Sequence, residues 1–399
     1  MALISGRRGR DGPARGSLLY DARFRGLVFQ LVVLVAVAAL IAFIVDNTVA
    51  NLHKRGIASG FSFLWATSGF DIGLRLIPYD LTSTYGRAFL VGLINTLVVS
   101  VCSIVLATIL GLFLGVLRLS RNWLVARLAA VYLETVRNIP LLLQILFWYF
   151  GVLTALPPLR QSLEILFGTV FINNRGVYTP RPILLPGAWV IPVALGVGIV
   201  AAVALYRWAK ARQDRTGAGF PAVRVGLLIV VGLPVIAAAA AGFPVEWQLP
   251  VLKGFNFSGG MMIPPEFVGL LLALTLYTAA FIGEIVRAGI LSVSHGQTEA
   301  AYALGLKPGS TLRLVVIPQA LRVIVPPLTS QYLNITKNSS LAVAIGYPDL
   351  VSVFTGTVLN QTGQAVEVIF ITMMVYMTIS LIISALMNWY NRRIALVER

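Results

Sequence analysis

Five charged side chains interrupt otherwise apolar stretches of the sequence and are its best candidates for chemistry. Glu134 and Arg137 are three residues apart, as are Glu284 and Arg287, so each pair can meet on one helix face. Lys337 has no carboxylate within one helical turn. Charges are costly inside a membrane, and by default they mark a solute or ion path. The alternative is that each pair neutralises itself near a membrane edge.

Polar side chains surround Lys337 in the sequence, namely Asn334, Thr336, Asn338, Ser339 and Ser340. Lys337 must snorkel to the interface, pair with another span or face a water-filled path. The neighbouring amides and hydroxyls favour a lined cavity over lipid. The candidates for a translocation path are therefore Lys337, Asn338, Ser339, Ser340, Glu284 and Glu134.

The sequence carries no recognisable machinery for catalysis or for using ATP. A P-loop needs a Gly-Lys-Ser/Thr sequence, and no Gly-Lys dipeptide occurs in the chain. His53 and His295 are too few and too scattered for a metal cluster, and the single cysteine, Cys102, excludes a disulfide framework. We therefore expect no catalytic residue, no metal site and no cofactor bound by this chain, and any ATPase must be a separate protein.

The composition is that of an integral membrane protein. Of the 399 residues, 58% are hydrophobic and 12% charged, whereas soluble domains carry about 25% charged residues. The mean hydropathy is +0.86. The net charge of +16 could suggest nucleic acid, but basic residues also accumulate at cytoplasmic membrane edges.

Eight stretches approach or exceed the roughly 20 apolar residues that a helix needs to cross a bilayer. The sequence therefore predicts an all-α integral membrane protein with about eight transmembrane helices. The first stretch is longer than the core of a cleaved signal peptide, which indicates a retained anchor. The seventh contains prolines and Lys337, so we predict that it is discontinuous. The spans are predicted at residues 26–45, 88–117, 129–153, 186–206, 225–242, 267–286, 321–350 and 366–389.

The basic residues predict the orientation of these spans. With the N-terminus inside, 21 of the 31 Lys and Arg residues lie on the cytoplasmic side and eight lie outside. The positive-inside rule therefore places both termini in the cytoplasm. The same asymmetry accounts for the basic charge without nucleic acid.

A polar stretch at residues 297–318 follows the sixth span and is predicted to form two short helices. Gly305 can end the first helix in a left-handed conformation, and Pro308 with Gly309 keeps that helix from resuming. Ser310 could cap the second helix, and Pro318 would end the unit. Ala300 and Ala301 leave a nearly bare face onto which another protein could pack. From the residues alone, a solvated linker is the stronger interpretation.

A resemblance changes that interpretation. Glu299, Ala300, Ala301 and Gly305, followed by residues 315–318, resemble the EAA motif of the binding-protein-dependent ABC-importer permeases. Residues 132–140, 283–289 and 337–341 resemble motifs of the histidine-permease branch, in which aspartate is common at the position of Asn338. Residues 48–52, 83–89 and 173–176, together with the extra spans, resemble the Q-type permeases of general L-amino acid transporters.

The resemblance implies a type I ABC-importer permease fold with extra N-terminal and middle spans, in the bacterial inner membrane. It implies an ATP-driven importer of L-amino acids in which the EAA loop, including Glu299, Ala300, Ala301, Gly305 and Pro318, receives an ATPase dimer. ATP and Mg would bind that dimer. A second homologous permease and a periplasmic amino-acid-binding protein would complete the importer, with membrane lipid around it and no nucleic acid.

The expected organisation runs in six parts. These are a cytoplasmic basic tail (1–25), the anchor span with a periplasmic loop (26–86), the first part of the permease core (87–156), inserted loops with two extra spans (157–264), the second part of the core (265–391) and a cytoplasmic tail (392–399). The alternatives are a self-powered transporter or channel, and a membrane enzyme. A self-powered secondary transporter or channel would show paired intramembrane carboxylates and inverted repeats, and a membrane enzyme would show a nucleophile–base or metal-ligand cluster. The sequence shows neither pattern.

Overall fold

The computed structural model describes residues 22–54 and 59–394, and these are mainly helical. Most of the basic tail predicted at 1–25, and most of the tail predicted at 392–399, lie outside the described residues. The α-helices of the described part are α1 (Ala22–Lys54), α2 (Tyr85–Arg118), α3 (Trp123–Asn138), α4 (Leu141–Leu146), α5 (Val190–Thr216), α6 (Ala222–Ala240), α7 (Pro265–Leu291), α8 (His295–Ala303), α9 (Pro308–Thr311), α10 (Ile317–Asn338), α11 (Leu359–Thr362) and α12 (Ala365–Ile394).

Seven of the described helices are long and apolar enough to cross a membrane, and a bent pair beginning with α3 is an eighth candidate. The predicted fold class, an all-α membrane protein with about eight spans, is confirmed. In α1 the apolar part, Phe24–Thr48, buries none of its residues within the chain. Its apolar surface therefore faces outward on all sides, as expected for an anchor helix.

The centre of the molecule is the close crossing of α2 and α7. Gly111 and Gly115 lie four residues apart on α2 and remove the side chains that would hold the helices apart. A Cβ at Gly111 would lie 2.6 Å from Ile282 Cβ, and one at Gly115 would lie 2.7 Å from the carbonyl oxygen of Gly283. Small residues at this spacing allow membrane helices to approach backbone to backbone. Buried residues of α2, α7 and α10 form a continuous core around this crossing.

The third span, predicted as one helix, is sharply bent. The axis turns by 105° between α3 and the segment Leu141–Leu153. Pro140 causes the bend, because proline has no backbone N–H to donate and disfavours a helical conformation at the residue before it; Ile139 is extended. The Nε2 of Gln144 then donates to the carbonyl oxygens of Val136 (2.9 Å) and Ile139 (3.0 Å). Two backbone carbonyls at the C-terminal end of α3 therefore have hydrogen-bond partners within the chain.

The seventh span is discontinuous, as predicted, but the break lies later than expected. The prediction that Pro326 and Pro327 interrupt it is wrong, because α10 runs through both prolines. In membrane helices, side chains and neighbouring helices can compensate the hydrogen bonds that proline removes. The break falls at Gly346, whose φ of 75° is left-handed. A widened π-helical segment, Val351–Val358, and α11 continue the chain.

The inserted segment contains short strands where the sequence predicted loops. They are β1 (Leu163–Ile165), β2 (Val170–Asn173), β3 (Gly176–Thr179), β4 (Arg181–Leu184), β5 (Val245–Gln248), β6 (Val251–Lys253), β7 (Asn256–Ser258) and β8 (Met261–Ile263). An antiparallel sheet has the order β1-β2-β3-β8, and β4–β5 and β6–β7 form two further pairs. The pairing of β3 with β8 joins the two predicted loops, so both lie at one end of α5 and α6. Strands of three or four residues are too short to show a clear alternating pattern.

The two extra spans, α5 and α6, pack on each other as an antiparallel hairpin. A Cβ at Gly198 would lie 3.2 Å from the carbonyl oxygen of Ile229, and one at Gly226 would lie 3.3 Å from Ala202 Cβ. Glycines therefore set the close spacing of this pair as well. Large apolar side chains on the outer faces, including Val200 and Leu228, are exposed.

The segment between α1 and α2 folds back onto the core. The hydroxyls of Ser68 and Tyr79 are 2.8 Å apart, and Tyr79 Oη donates to the carbonyl oxygen of Phe70. Burial raises the pKa of Tyr79. Hydrogen bonds from the hydroxyls of Thr82 and Ser83 lower the pKa of the Asp80 carboxyl at the turn into α2.

Candidate functional site

Residues 297–318, called the docking stretch below, begin with the last part of α8, and Gly305 ends that helix as predicted. Its φ is +77°. The N–H of Leu306 donates to the carbonyl oxygen of Ala301 (3.1 Å). The N–H of Gly305 donates to the carbonyl oxygen of Tyr302 (2.9 Å). This pair of bonds is the Schellman arrangement, in which a left-handed residue closes a helix and satisfies its last carbonyls. A glycine is required because other residues are strained in that conformation.

The face of α8 available to a partner differs from the predicted one. Ala301 is buried against its own chain, at 3% exposure, so the prediction of an outward alanine pair is wrong for this residue. Ala300 and Glu299 are exposed, and Glu299 Oε1 lies 3.0 Å from His295 Nδ1. Sequence reasoning missed Leu304, which is 83% exposed beside Gly305. The sequence could have indicated this exposure, because a leucine at the end of a short helix between polar loops has no apolar core to pack against.

The second half of the docking stretch is not a separate short helix. Pro308 occupies the first turn of α9 and Ser310 lies inside it, so the prediction that Ser310 caps the helix is wrong. Pro318 does not end the unit either, since Pro308–Ile345 forms one continuous helical segment. The segment Leu312–Val316 is π-helical just before Pro318. Proline cannot donate to the carbonyl four residues back and its ring crowds that carbonyl, which accounts for the local widening.

The docking stretch is connected to the core through α10. Gln319 Nε2 donates to Gln297 Oε1 (3.4 Å), which links the start of α10 to α8. Further along, Ile324 of α10 fits against Gly289 of α7, where there is no room for a Cβ. Helix α10 thus contacts both α8 and α7.

Four charged side chains form one network across three helices. Glu284 of α7 accepts from Arg287 Nη2 (2.6 Å) and from Arg118 Nη1 of α2 (3.1 Å). Arg118 Nη2 also lies 3.3 Å from Glu134 Oε1 of α3. The predicted pairing of Glu284 with Arg287 is present. The predicted pairing of Glu134 with Arg137 is not, because Glu134 binds Arg118 instead, and the Arg137 guanidinium carbon lies 5.1 Å from the centre of the Phe281 ring.

Lys337 and its neighbours lie at the C-terminal end of α10, more than two helical turns before the break at Gly346. Lys337 is exposed on the surface of this chain and forms no ion pair with any carboxylate in the described ranges. Ser339 is fully buried, and its hydroxyl donates to the carbonyl oxygen of Thr336 (2.8 Å). The hydroxyl of Ser340 donates to the carbonyl oxygen of Lys337 (2.7 Å). Lys337 is therefore the exposed member of this group, whereas the hydroxyls of Ser339 and Ser340 are bonded to the preceding turn of their own helix.

A buried carboxylate, Asp349, lies in the break itself and was missed by the sequence analysis. Its side chain is fully buried, and Oδ1 accepts from the backbone N–H of Ser352 (2.8 Å) at the start of the following helix. Tyr376 Oη of α12 lies 3.5 Å from Oδ2. The signal was an aspartate after Tyr347 and Pro348 in an apolar run, which is unusual inside a membrane.

Helix α2 holds this break in place. Asn95 Nδ2 donates to the carbonyl oxygens of Pro348 and Leu74 (both 2.9 Å), and Thr96 Oγ1 accepts from the N–H of Leu350 (2.9 Å). Gly92 lets the two segments touch, since a Cβ there would lie 3.1 Å from Leu350 Cα. The bonds with Pro348 and Leu350 satisfy backbone groups that the broken helix leaves free, which is the condition for non-helical backbone in a membrane.

The structure thus has the features of a transport protein: several apolar spans, a broken helix with polar residues near the break, and a helical stretch exposed at one end. Residues 107–396 match the family described as "Binding-protein-dependent transport system inner membrane component". The chain belongs to this family and is a multi-pass inner-membrane permease subunit. A transport role in an importer with other subunits therefore replaces the self-powered transporter and enzyme alternatives.

Three relatives match nearly the whole chain. The "Putative amino-acid ABC transporter permease protein YhdX" of Escherichia coli K12 is 53% identical over 98% of this chain and 99% of its own. The "General L-amino acid transport system permease protein AapQ" of Rhizobium johnstonii is 50% identical over 96% and 95%. The "Glutamate/glutamine/aspartate/asparagine transport system permease protein BztB" of Rhodobacter capsulatus is 46% identical over 100% of both chains.

Proposed function

We propose that this chain is one transmembrane half of an ATP-driven importer for L-amino acids, with polar amino acids among its substrates. The observation that carries the proposal is the contact between α8 and the start of α10 through Gln297 and Gln319, together with the continuous helical segment that runs from there past Lys337 to the break at Gly346. A partner that moves α8 would move the residues beside the candidate path. The substrate class rests on the printed names of the three relatives, of which one names glutamate, glutamine, aspartate and asparagine.

The partners follow from the same proposal. An ATPase dimer binds Glu299, Ala300, Leu304 and Gly305 and carries the ATP and Mg, while a second homologous permease completes the pore. A periplasmic amino-acid-binding protein delivers the substrate to the side opposite the docking stretch. Both termini face the cytoplasm, which is the arrangement that the basic residues favour.

Within this chain, Lys337 and Asn338 are the residues we assign to the path. An ammonium group that lacks a carboxylate partner in the described ranges suits the α-carboxylate that all amino acids carry, and the Asn338 amide can donate to or accept from polar substrates. Glu284 and Glu134 are assigned a supporting role, since their network with Arg118 ties α2, α3 and α7 together. Breaking that network would loosen the helices around the path without removing a substrate contact.

Reconstitution of the whole complex tests the proposal. Leu304→Ala removes an exposed apolar contact, and burial of a leucine contributes about 1.5–3 kcal/mol. We expect at least about a tenfold weaker binding of the ATPase subunit, with loss of substrate-stimulated ATP hydrolysis. Leu228→Ala is the matched control, because Leu228 is 72% exposed on α6, outside the docking stretch. Equal ATPase binding and stimulation in both variants would refute docking at this stretch.

A further inference from the structure

The inserted α5–α6 hairpin and the end of α12 enclose a groove at the molecular face that carries the docking stretch. The groove has a volume of about 710 Å³. Its walls are apolar along both helices and include Val203, Leu227 and Val230, whereas its end is lined by Arg207, Lys210 and Arg393. The groove is therefore apolar along the two helices and basic at one end.

A second cavity, of about 500 Å³, adjoins the first and shares Tyr206, Lys210, Ala222 and Val223 with it. It extends past Arg224 of α6 to Arg313 of the docking stretch. Among the residues that the structure describes, Asp214 is the only carboxylate that lines either cavity, against five cations from three parts of the chain. The region therefore has a strong positive excess where the hairpin meets the permease core.

The cations of the groove are available to an external anion. Arg207, Lys210 and Arg393 are exposed, and none of them forms an ion pair with a carboxylate that the structure describes. The Arg393 guanidinium carbon lies 4.0 Å from the centre of the Trp389 ring, which orients its side chain. Trp389 and Tyr206 are residue types that concentrate at the depth of lipid headgroups.

We propose that this groove is a binding site for an anionic phospholipid. The phosphate group lies among Arg207, Lys210 and Arg393, and an acyl chain lies along Val203, Leu227 and Val230. Charge complementarity selects an anionic lipid, since basic pockets between membrane helices recognise anionic headgroups. The apolar wall requires an acyl chain, which a free phosphate ion does not have.

A bound lipid would give the inserted segment a structural role in addition to transport. In the chain alone, α5 and α6 pack mainly on each other, and their outer faces are exposed. A phospholipid that contacts Arg207 of the hairpin and Arg393 of α12 bridges the insertion to the permease core. The site depends on neither the substrate nor the ATPase, so its test is separate from that of the proposed function.

Lipid binding is measured on the purified, full-length protein by native mass spectrometry. Dioleoyl phosphatidylglycerol is titrated against dioleoyl phosphatidylcholine, which has the same acyl chains but no net charge. The test variant carries Arg207→Gln, Lys210→Gln and Arg393→Gln. The control variant carries Arg121→Gln, Arg212→Gln and Arg215→Gln, which removes the same charge from exposed positions that line neither cavity.

We expect the wild type and the control variant to bind phosphatidylglycerol in preference to phosphatidylcholine. Each cation near a membrane surface contributes about a fivefold change in affinity, so the test variant should lose on the order of a hundredfold. Equal binding of the two lipids by the wild type, or equal loss in the two variants, would overturn the proposal.

A second measurement uses the otherwise unaltered protein in its own membrane. A photoreactive residue at Leu227 should crosslink to phospholipid, and excess glycerol 3-phosphate should not prevent the crosslink. Crosslinking to another copy of the chain or to another subunit would show that a protein fills the groove instead, and would refute the lipid site. Loss of the crosslink with glycerol 3-phosphate would show that the site recognises phosphate without an acyl chain, which also refutes it.

Discussion

At the scale of single residues, Gly305 has a matched control four positions further along the chain. A Cβ added at Gly305 or at Gly309 would meet no atom within 4 Å beyond the adjoining backbone, but only Gly305 has a positive φ. A methyl group therefore meets no obstacle at either site, and only the backbone conformation differs. Gly305→Ala strains a left-handed turn by about 1–2 kcal/mol, whereas Gly309→Ala sits in a helix and favours it.

We expect Gly305→Ala to lower substrate-stimulated ATP hydrolysis by the reconstituted complex about 5- to 30-fold, because 1–2 kcal/mol shifts the population of the docking geometry by that factor. Gly309→Ala should behave like the wild type. Membrane insertion of both variants should be unchanged. Equal coupling in the two alanine variants would mean that the shape of the α8 end is irrelevant to docking.

Lys337 gives the second prediction at this scale. Because it pairs with no carboxylate in the described ranges, Lys337→Met should leave no uncompensated charge and should not reduce the amount of assembled complex. A hydrogen bond to a charged group contributes about 1.5–3 kcal/mol, so uptake should fall at least about tenfold. Lys337→Arg keeps the charge and should restore part of the uptake. Normal uptake by Lys337→Met would remove this residue from the path.

The sequence was informative about residues whose role is set by local backbone geometry, and much less so about side-chain direction. The left-handed Gly305 followed from its position after a helix-forming run. The inward direction of Ala301 did not, because either side of a nearly bare helix could have faced the core. Asp349 was overlooked because its partners, Ser352 and Tyr376, come together only when the seventh span breaks and α12 packs on it.

At the scale of elements, the α2–α7 crossing should be sensitive to a single methyl group. Gly115→Ala places a Cβ 2.7 Å from the Gly283 carbonyl oxygen, and overpacking of this kind costs about 1–3 kcal/mol. Gly196→Ala is the control, since nothing lies within 4 Å of a Cβ at this position on α5. We expect thermal unfolding of the purified protein to shift to lower temperature for Gly115→Ala only. Matching unfolding temperatures would show that the helices can separate at little cost.

The prolines show how far element boundaries can be predicted from the sequence. Pro140 bends the third span by 105°, whereas Pro326 and Pro327 leave α10 continuous. The residue type is the same, so the difference lies in what surrounds each proline. At Pro140, the Gln144 side chain satisfies the carbonyls that the bend frees. Such compensation is a tertiary property, and the same holds for the strand pair β3–β8, whose partners are distant in the sequence.

At the scale of the whole molecule, the structure fixes which parts share a membrane face. Arg313 of the docking stretch lines one cavity with Phe220 and Pro221 of the turn between α5 and α6, and Arg393 of α12 lines the adjoining cavity with Arg207 and Lys210 of α5. The 27 residues of α5 span about 40 Å, so the sheet of β1, β2, β3 and β8 lies at the opposite end. The three segments grouped at one face are among those that the basic residues assigned to the cytoplasm. The cavity linings and the distribution of basic residues therefore agree that these three segments lie on the same side of the membrane.

The absolute orientation is the last prediction. In a Cys102→Ser background, Ala218→Cys lies in the turn between α5 and α6, and Asn174→Cys lies in the tip between β2 and β3; both positions are exposed. Because the predicted orientation puts 21 of the 31 basic residues on the same side as the docking stretch, the positive-inside rule places Ala218 in the cytoplasm. A membrane-impermeant maleimide should therefore label Asn174→Cys in intact spheroplasts and Ala218→Cys only after permeabilisation. The background protein should remain unlabelled in both conditions. Labelling of Ala218→Cys from outside would show that the protein has the opposite orientation. The docking stretch would then lie on the outer side, where cytoplasmic ATP cannot reach a bound ATPase.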